Sequence, residues 1–239
     1  MIYPMIALPV LAVYILAAVI PAVILLRYVY RHDTVEKEPP GLLVSLLLMG
    51  VVAALLSGVL ERIAQSLLSV LVAPGSPVYT ILLAFLVVAV VEEGTKFLLL
   101  KRRSWFHPAF NYRFDGVVYA VFVSLGFAAF ENILYVFNYG LSVALPRALL
   151  AIPGHMSFAV AMGIYYGRAK CCWRRGHDAA AKFNLILGYL LAVFLHGFYD
   201  ACAMIGTGLA MLLFIVFVVL MFLFVFRSLK RESTHDLPI

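Results

Sequence analysis

Charged residues are scarce in this sequence of 239 residues: Asp, Glu, Lys and Arg together make up 13% of it, about half of their usual share. Apolar residues make up 65%, which is more than the interior of a globular domain of this size can bury. A water-soluble fold is therefore excluded, and most of the apolar surface must face lipid or other helices within a bilayer. The same composition excludes a disordered chain.

Cysteine is also rare. The chain contains three, too few to build the disulfide framework of a small secreted domain. The formal net charge of +6 is modest and spread along the chain, which excludes the concentrated basic face of a nucleic-acid-binding module. We therefore expect no nucleic acid partner. The expected partner is the lipid bilayer, whose anionic headgroups attract basic loops.

Long apolar runs, in contrast, are abundant. Seven of them approach or exceed the roughly 20 residues that cross a bilayer core, and they cover residues 4–26, 41–60, 78–100, 115–137, 145–167, 183–205 and 207–226. They predict an all-α, polytopic membrane helical bundle of about seven transmembrane helices. The apolar segment 63–73 is too short to cross, so it is predicted to be interfacial or re-entrant, with an eighth span as the alternative. No long linker or repeat divides the series, so residues 1–239 are predicted to form a single integral membrane domain.

The basic residues indicate how the bundle is oriented. Lys and Arg are retained on the cytoplasmic side of short membrane loops. Of the 18 Lys and Arg residues, 15 follow the first, third, fifth or seventh predicted span. The N-terminus is therefore predicted to lie outside and the C-terminus in the cytoplasm.

Ionisable side chains inside the predicted spans form a cluster. Such residues are costly in a bilayer, so each one indicates function by default. The cluster consists of Glu92, Glu93 and Lys96 in the third span, Glu131 and Asn132 in the fourth, His155 in the fifth, and His196 and Asp200 in the sixth. Residues four apart share a helix face, so Glu92 is expected to pair with Lys96 and His196 with Asp200. A rise of about 1.5 Å per residue places the cluster well away from the predicted cytoplasmic ends of the spans.

These residue types suit hydrolysis of a peptide bond. A glutamate, either Glu92 or Glu93, can act as the general base that activates water. Imidazoles and an amide can stabilise the oxyanion that forms, and a carboxylate such as Asp200 can hold an imidazole in the required tautomer. The residues predicted to be catalytic are Glu92, Glu93, Glu131, Asn132, His155, His196 and Asp200.

Zinc is an alternative participant. Glu131, His155 and His196 would form the mixed carboxylate and histidine triad, with an open fourth position, that is typical of catalytic zinc. The three residues come from different helices, so their spacing does not decide between metal-free and zinc-assisted hydrolysis. No HExxH motif is present.

At these positions the sequence resembles the PrsW family of prokaryotic intramembrane proteases. The resemblance rests on EEGTK at 92–96, FDGVVYAVFVSLGFAAFEN at 114–132, GH at 154–155 and HGFYD at 196–200, which occur in that order within about residues 78–205. PrsW proteins are distantly related to the type II CAAX prenyl endopeptidases of the CPBP superfamily, whose motifs are EExxxR, FxxxH and HxxxN or HxxxD. Here Lys96 comes one position early, while Glu131 and Asp200 end the second and third motifs.

The resemblance implies an intramembrane endopeptidase of the prokaryotic plasma membrane. Its implied reaction is site-1 cleavage of a membrane-anchored anti-sigma factor or a similar regulator by a glutamate-activated water. By similarity Glu92 is the base, Glu93 is its partner, and Glu131, His155 and His196 complete the core. The family has been labelled both metalloprotease and glutamate protease, so a zinc cofactor stays open.

Two other functions would use the same residue types. One is a proton-coupled transporter, because Glu, His and Asp side chains also form proton relays in membranes. The other is a non-catalytic membrane scaffold of the same fold.

Overall fold

The computed structural model describes residues 8–239, and over this range the chain folds into seven helices. They are α1 (Leu8–His32), α2 (Pro40–Leu71), α3 (77–104), α4 (Asp115–Tyr139), α5 (Leu141–Arg174), α6 (Asp178–Ile205) and α7 (Gly208–Thr234). All except α3 contain an uninterrupted apolar helix long enough to cross a membrane. The prediction of an all-α bundle of about seven helices is confirmed. The first predicted span began at residue 4, and residues 4–7 lie outside the described part of the chain.

The second helix is longer than the sequence predicted. α2 runs through most of segment 63–73 without a break, so this segment is not a separate interfacial or re-entrant piece, nor is it an eighth span. Glu61 and Arg62 interrupt the apolar run, but both residue types are good helix formers, and the first helix breaker that follows them is Pro74. The 32 residues of α2 extend about 48 Å at about 1.5 Å each, which exceeds a hydrocarbon core of about 30 Å.

Two helices each contain a π-helical segment close to the predicted site. In α3 this segment is Leu83–Ala89, and in α5 it is Arg147–Ala151. A π turn contains one more residue than an α turn, so it changes the direction in which the residues after it face. The two segments thus help to set the directions in which Glu92 and His155 leave their helices.

The centre of the bundle is formed by α4 and α5. Every residue of α4 from 115 to 128 is buried, and α5 packs closely against both α4 and α6. The crossing of α4 and α5 depends on glycines: a Cβ atom at Gly167 would lie 2.1 Å from the backbone oxygen of Arg113, and one at Gly163 would lie 2.6 Å from the Cα of Val117. Glycine therefore allows the two backbones to come into direct contact.

The basic loops gather at one end of the bundle together with the C-terminal residues. Glu232 of α7 lies 2.8 Å from Arg113 and 3.5 Å from Arg168. The backbone N–H of Arg113 donates to the carbonyl of Leu237, at 3.0 Å. Asn111 donates from Nδ2 to Glu36 of the α1–α2 loop at 2.9 Å, so the four basic segments from which the orientation was predicted all lie at this end.

Two carboxyl groups of the α1–α2 loop are buried at the same end. Glu38 is 2% exposed and accepts a hydrogen bond from the hydroxyl of Tyr119. Burial raises the pKa of Glu38 to about 7, although hydrogen bonds with Tyr119 and Asp115 oppose this shift. Burial also raises the pKa of Asp33 to about 6, against the opposing charge of Lys37. Both acids therefore hold their protons to a higher pH than exposed carboxyl groups do.

Candidate active site

Lys96 of α3 joins residues of three helices in the middle of the bundle. Its Nζ lies 3.0 Å from Oε2 of Glu92, 2.8 Å from Oε1 of Glu93 and 3.3 Å from Nδ1 of His155 on α5. The ammonium group also lies 3.9 Å from the ring centroid of Phe127 on α4. The predicted pair of Glu92 and Lys96 is present, and Glu93 shares the same cation.

His155 connects this lysine to α4. An ammonium group can only donate, so Nδ1 of His155 accepts from Lys96 and the ring proton is assigned to Nε2. That nitrogen lies 3.2 Å from Oε2 of Glu131, to which it donates. Arg147 donates to the same oxygen at 2.6 Å. Glu131 is thus held by one neutral imidazole and one guanidinium group.

His196 of α6 lies between two carboxylates. Its Nδ1 is 2.9 Å from Oε1 of Glu93, and its Nε2 is 3.3 Å from Oδ2 of Asp200, one helical turn further on. Ionised carboxylates only accept hydrogen bonds, so both ring nitrogens donate and the ring is a cationic imidazolium. The Nε2 atom also lies 4.0 Å from Oε2 of Glu92, which brings this cation next to a second glutamate.

A cavity of about 480 Å³ opens beside these groups. Five of the seven residues predicted to be catalytic line it, namely Glu92, Glu131, His155, His196 and Asp200. Its wall also includes Pro146, Met204 and Met211, which lie near the ends of α5, α6 and α7 that are opposite the basic loops. The cavity therefore extends from the buried carboxylates toward that end of the bundle.

The other two predicted catalytic residues lie behind the cavity wall. Glu93 is 1% exposed, and its Oε1 is in contact with both Lys96 and His196. Asn132 is fully buried; it donates to the carbonyl of Ala18 on α1 and accepts from Nε of Arg147 at 2.6 Å. Both residues are placed to position their neighbours.

Two charged residues of the cavity wall, Arg147 and Glu61, were not among the predicted site residues. Arg147 donates to Glu131 and Asn132 and lies 3.7 Å from the ring centroid of Tyr135. Glu61 was placed beyond the end of a span, yet α2 continues through it and brings it to the cavity. An acid inside a longer apolar run was a signal that could have identified Glu61.

A metal ion does not fit this arrangement of residues. Among the described residues, Glu92, Glu93 and His155 have donor atoms within 4.8 Å of one another, a set that shares only His155 with the predicted zinc triad. Lys96 contacts one atom of each of the three. Zinc binds such atoms at about 2.0–2.2 Å. An ion at that distance would collide with the ammonium group of Lys96 and would be repelled by its positive charge. The ammonium group of Lys96 would have to move away before Glu92, Glu93 and His155 could bind a metal ion.

Comparisons with known proteins identify the family of the chain. The sequence profile of a family described as "PrsW family intramembrane metalloprotease" matches residues 38–226. The chain is 37% identical to Protease PrsW of Geobacillus kaustophilus, over 77% of this chain and 76% of the relative. It is 31% identical to Protease PrsW of Clostridioides difficile, over 92% of each chain. It is 32% identical to Protease PrsW of Bacillus subtilis, over 92% of this chain and 94% of the relative.

No solved structure matches the chain. The profile covers well over half of the sequence, and three curated relatives are more than 30% identical over most of their length. Together with six long apolar helices, these matches make the protein a multi-pass intramembrane protease of the bacterial cell membrane. The chain belongs to the PrsW family of intramembrane metalloproteases.

Proposed function

We propose that the protein hydrolyses a peptide bond of a membrane-anchored protein with a water molecule activated by Glu92. The observation that carries this proposal is the position of Glu92 on the cavity wall. One of its oxygens accepts from Lys96, while Oε1 has no hydrogen bond to the described residues. A buried carboxylate with one free oxygen in a water-sized space meets the geometric requirement for a general base.

The proposed reaction uses groups on both sides of this space. Glu92 removes a proton from water, and the resulting hydroxide attacks the carbonyl carbon of the substrate. The His196 imidazolium, whose Nε2 lies 4.0 Å from Glu92, stabilises the negative charge on the carbonyl oxygen through its positive charge, while its two N–H groups stay bonded to Glu93 and Asp200. The C–N bond then breaks, and Glu92 returns its proton to the departing amine.

The remaining site residues position these two groups. Lys96 fixes the orientation of Glu92 by donating to it. Glu93 accepts from both Lys96 and His196, so it fixes the orientation of His196. Asp200 holds the second ring nitrogen of His196. A connected chain of hydrogen bonds beside the cavity joins His155, Glu131, Arg147 and Asn132.

The proposed mechanism contains no step through a metal. The family description includes the word metalloprotease, and zinc remains the alternative cofactor because Glu92, Glu93 and His155 are close enough to bind an ion if Lys96 moves away. The proximity of Lys96 to all three supports the metal-free form, in which the ammonium group supplies the local positive charge.

We also propose that cleavage takes place toward the extracytoplasmic side. The N-terminus is then outside and the C-terminus in the cytoplasm, as the positive-inside rule indicates. In this orientation the cavity extends toward the outer ends of α5, α6 and α7. A cavity that opens toward the outer side suits site-1 cleavage of an anti-sigma factor or a similar single-span regulator. Family membership favours this endopeptidase function over a transporter or a scaffold.

A co-expression experiment tests the proposal. A single-span reporter carries separate tags on its outer and cytoplasmic sides, and its fragments are measured with wild-type protein, with Glu92→Gln and with the control variant Asp178→Asn. Asp178 is an exposed carboxylate at the start of α6. Loss of the base is expected to slow outer-side cleavage about 100-fold or more, with the control at the wild-type rate. Normal cleavage by folded Glu92→Gln would contradict the proposal.

A further inference from the structure

We infer that Glu61 forms a subsite that binds a positively charged side chain of the substrate. This inference rests on the proposed function, since it assigns a recognition role within the same cavity. Glu61 lies on α2 and lines the cavity together with Glu92, Glu131 and Asp200. No other residue of α2 belongs to that wall.

Glu61 differs from the other acids of the cavity because it has no partner. Glu92 is paired with Lys96, Glu131 with Arg147, and Asp200 with His196. Glu61 makes no hydrogen bond or ion pair with any residue from 8 to 239, and its Oε1 is shielded from solvent. A shielded carboxylate oxygen is costly unless a donor reaches it. A ligand that brings such a donor would remove this cost.

The charge balance of the site favours a cation as that donor. Four carboxylates (Glu92, Glu93, Glu131 and Asp200) surround three cations (Lys96, Arg147 and His196). Glu61 adds a fifth carboxylate without a matching positive charge. A Lys or Arg side chain of the substrate would leave the site closer to neutrality, whereas an acidic side chain would be repelled by Glu61.

The packing of α2 leaves space for a substrate beside Glu61. All buried residues of α2 lie between Leu42 and Ser57, so the part that carries Glu61 has left the tightly packed bundle. Tyr135 of α4 also belongs to the cavity wall and is 39% exposed. A substrate segment can therefore reach the carboxylate from the membrane without first separating two packed helices.

A scan of the substrate tests the inference directly. The probe is the single-span reporter described above, in which one residue at successive positions near the cleaved bond is Lys, Gln or Glu. With wild-type protein, one register is expected at which the Lys reporter is cut at least about tenfold faster than the Gln reporter, and the Glu reporter more slowly than both. Equal cleavage of the three reporters at every register would overturn the subsite and leave the proposed function intact.

Two variants then connect the preference to this side chain. Glu61→Gln is expected to lower the ratio of Lys to Gln reporter cleavage from about tenfold to about one, and Glu61→Lys is expected to reverse the preference toward Glu. Arg62→Gln is the matched control, because within residues 8–239 the exposed side chain of Arg62 hydrogen-bonds only the Gly58 carbonyl of its own helix. A preference for Lys that persists in Glu61→Gln would overturn the assignment.

Cross-linking provides a readout that does not need catalysis. Glu61→Cys is combined with Glu92→Gln, and a cysteine replaces the scanned residue of the reporter. With copper phenanthroline and oxygen as the oxidant, a disulfide is expected to form most efficiently at the register that prefers Lys. The control is protein that carries only its native cysteines, which is expected to form no cross-link. If these cross-links form but wild-type protein cuts no reporter, the proposed function fails and the docking register stands. If no register cross-links above the control, the subsite fails.

Discussion

Replacement of Lys96 by methionine is expected to be among the most destabilising single changes in the bundle. Its ammonium group contacts two carboxylates at 3.0 and 2.8 Å, and all three side chains are at least 94% buried. Lys96→Met keeps most of the apolar stem but leaves Glu92 without its cation, while Glu93 keeps its contact with His196 at 2.9 Å. Removal of one partner from a buried ion pair costs about 3–5 kcal/mol, so the free energy of unfolding is expected to fall by about that amount.

Reversible unfolding in lipid or detergent micelles measures this loss. Lys182→Met is the control, because Lys182 is an exposed lysine on α6 and its loss is expected to change stability by less than about 0.5 kcal/mol. The double variant Lys96→Met with Glu92→Gln is expected to recover part of the loss, because it removes the carboxylate that was left unpaired. A loss below about 1 kcal/mol for Lys96→Met, or no recovery in the double variant, would refute the ion-pair reasoning.

The remaining predictions concern helix packing and pH. Gly167→Ala places a Cβ atom 2.1 Å from the backbone oxygen of Arg113, so it is expected to lower the free energy of unfolding by about 1–3 kcal/mol. A Cβ atom at Gly58 would have no atom within 4 Å, so Gly58→Ala is expected to cause no loss in the same unfolding assay. Equal losses would contradict the close crossing of α4 and α5. Because the folded pKa of Glu38 is raised to about 7, its contribution to stability is fully present below about pH 4.5 and is lost as the pH rises through 7. Thermal unfolding from pH 4.5 to 8 is therefore expected to show a steeper fall for wild-type protein than for Glu38→Gln, and parallel curves would contradict the shift.

The helices could be predicted from sequence because crossing a bilayer requires long apolar runs. Hydropathy alone identified all seven helices, although α2 and α7 end 11 and 8 residues beyond their predicted spans. The same criterion failed at Glu61 and Arg62, where two charges were taken as the end of a span although the backbone of α2 continues past them. A polar residue ends an apolar run without ending a helix, so hydropathy does not locate helix boundaries at such positions.

The site was less accessible to sequence reasoning because its contacts join different helices. Spacing along a single helix anticipated Lys96 with Glu92 and His196 with Asp200. It could not indicate that Glu93 also binds His196, because that contact depends on how α3 packs against α6. Nor could it place Asn132 on the α1 side of α4, where it holds Arg147. Such partners follow from helix rotation and the π segments, which periodicity does not reveal.

Cleavage by metal-free protein tests the central claim that Glu92, held by Lys96, activates water in a site arranged around an internal ammonium group. Wild-type protein is purified with a strong chelator, reconstituted in lipid nanodiscs and checked by elemental analysis for bound transition metals. Its rate of reporter cleavage is then compared with that of untreated protein. Equal rates are expected, with far less than one metal ion per chain. Loss of cleavage that is restored by stoichiometric zinc would contradict it.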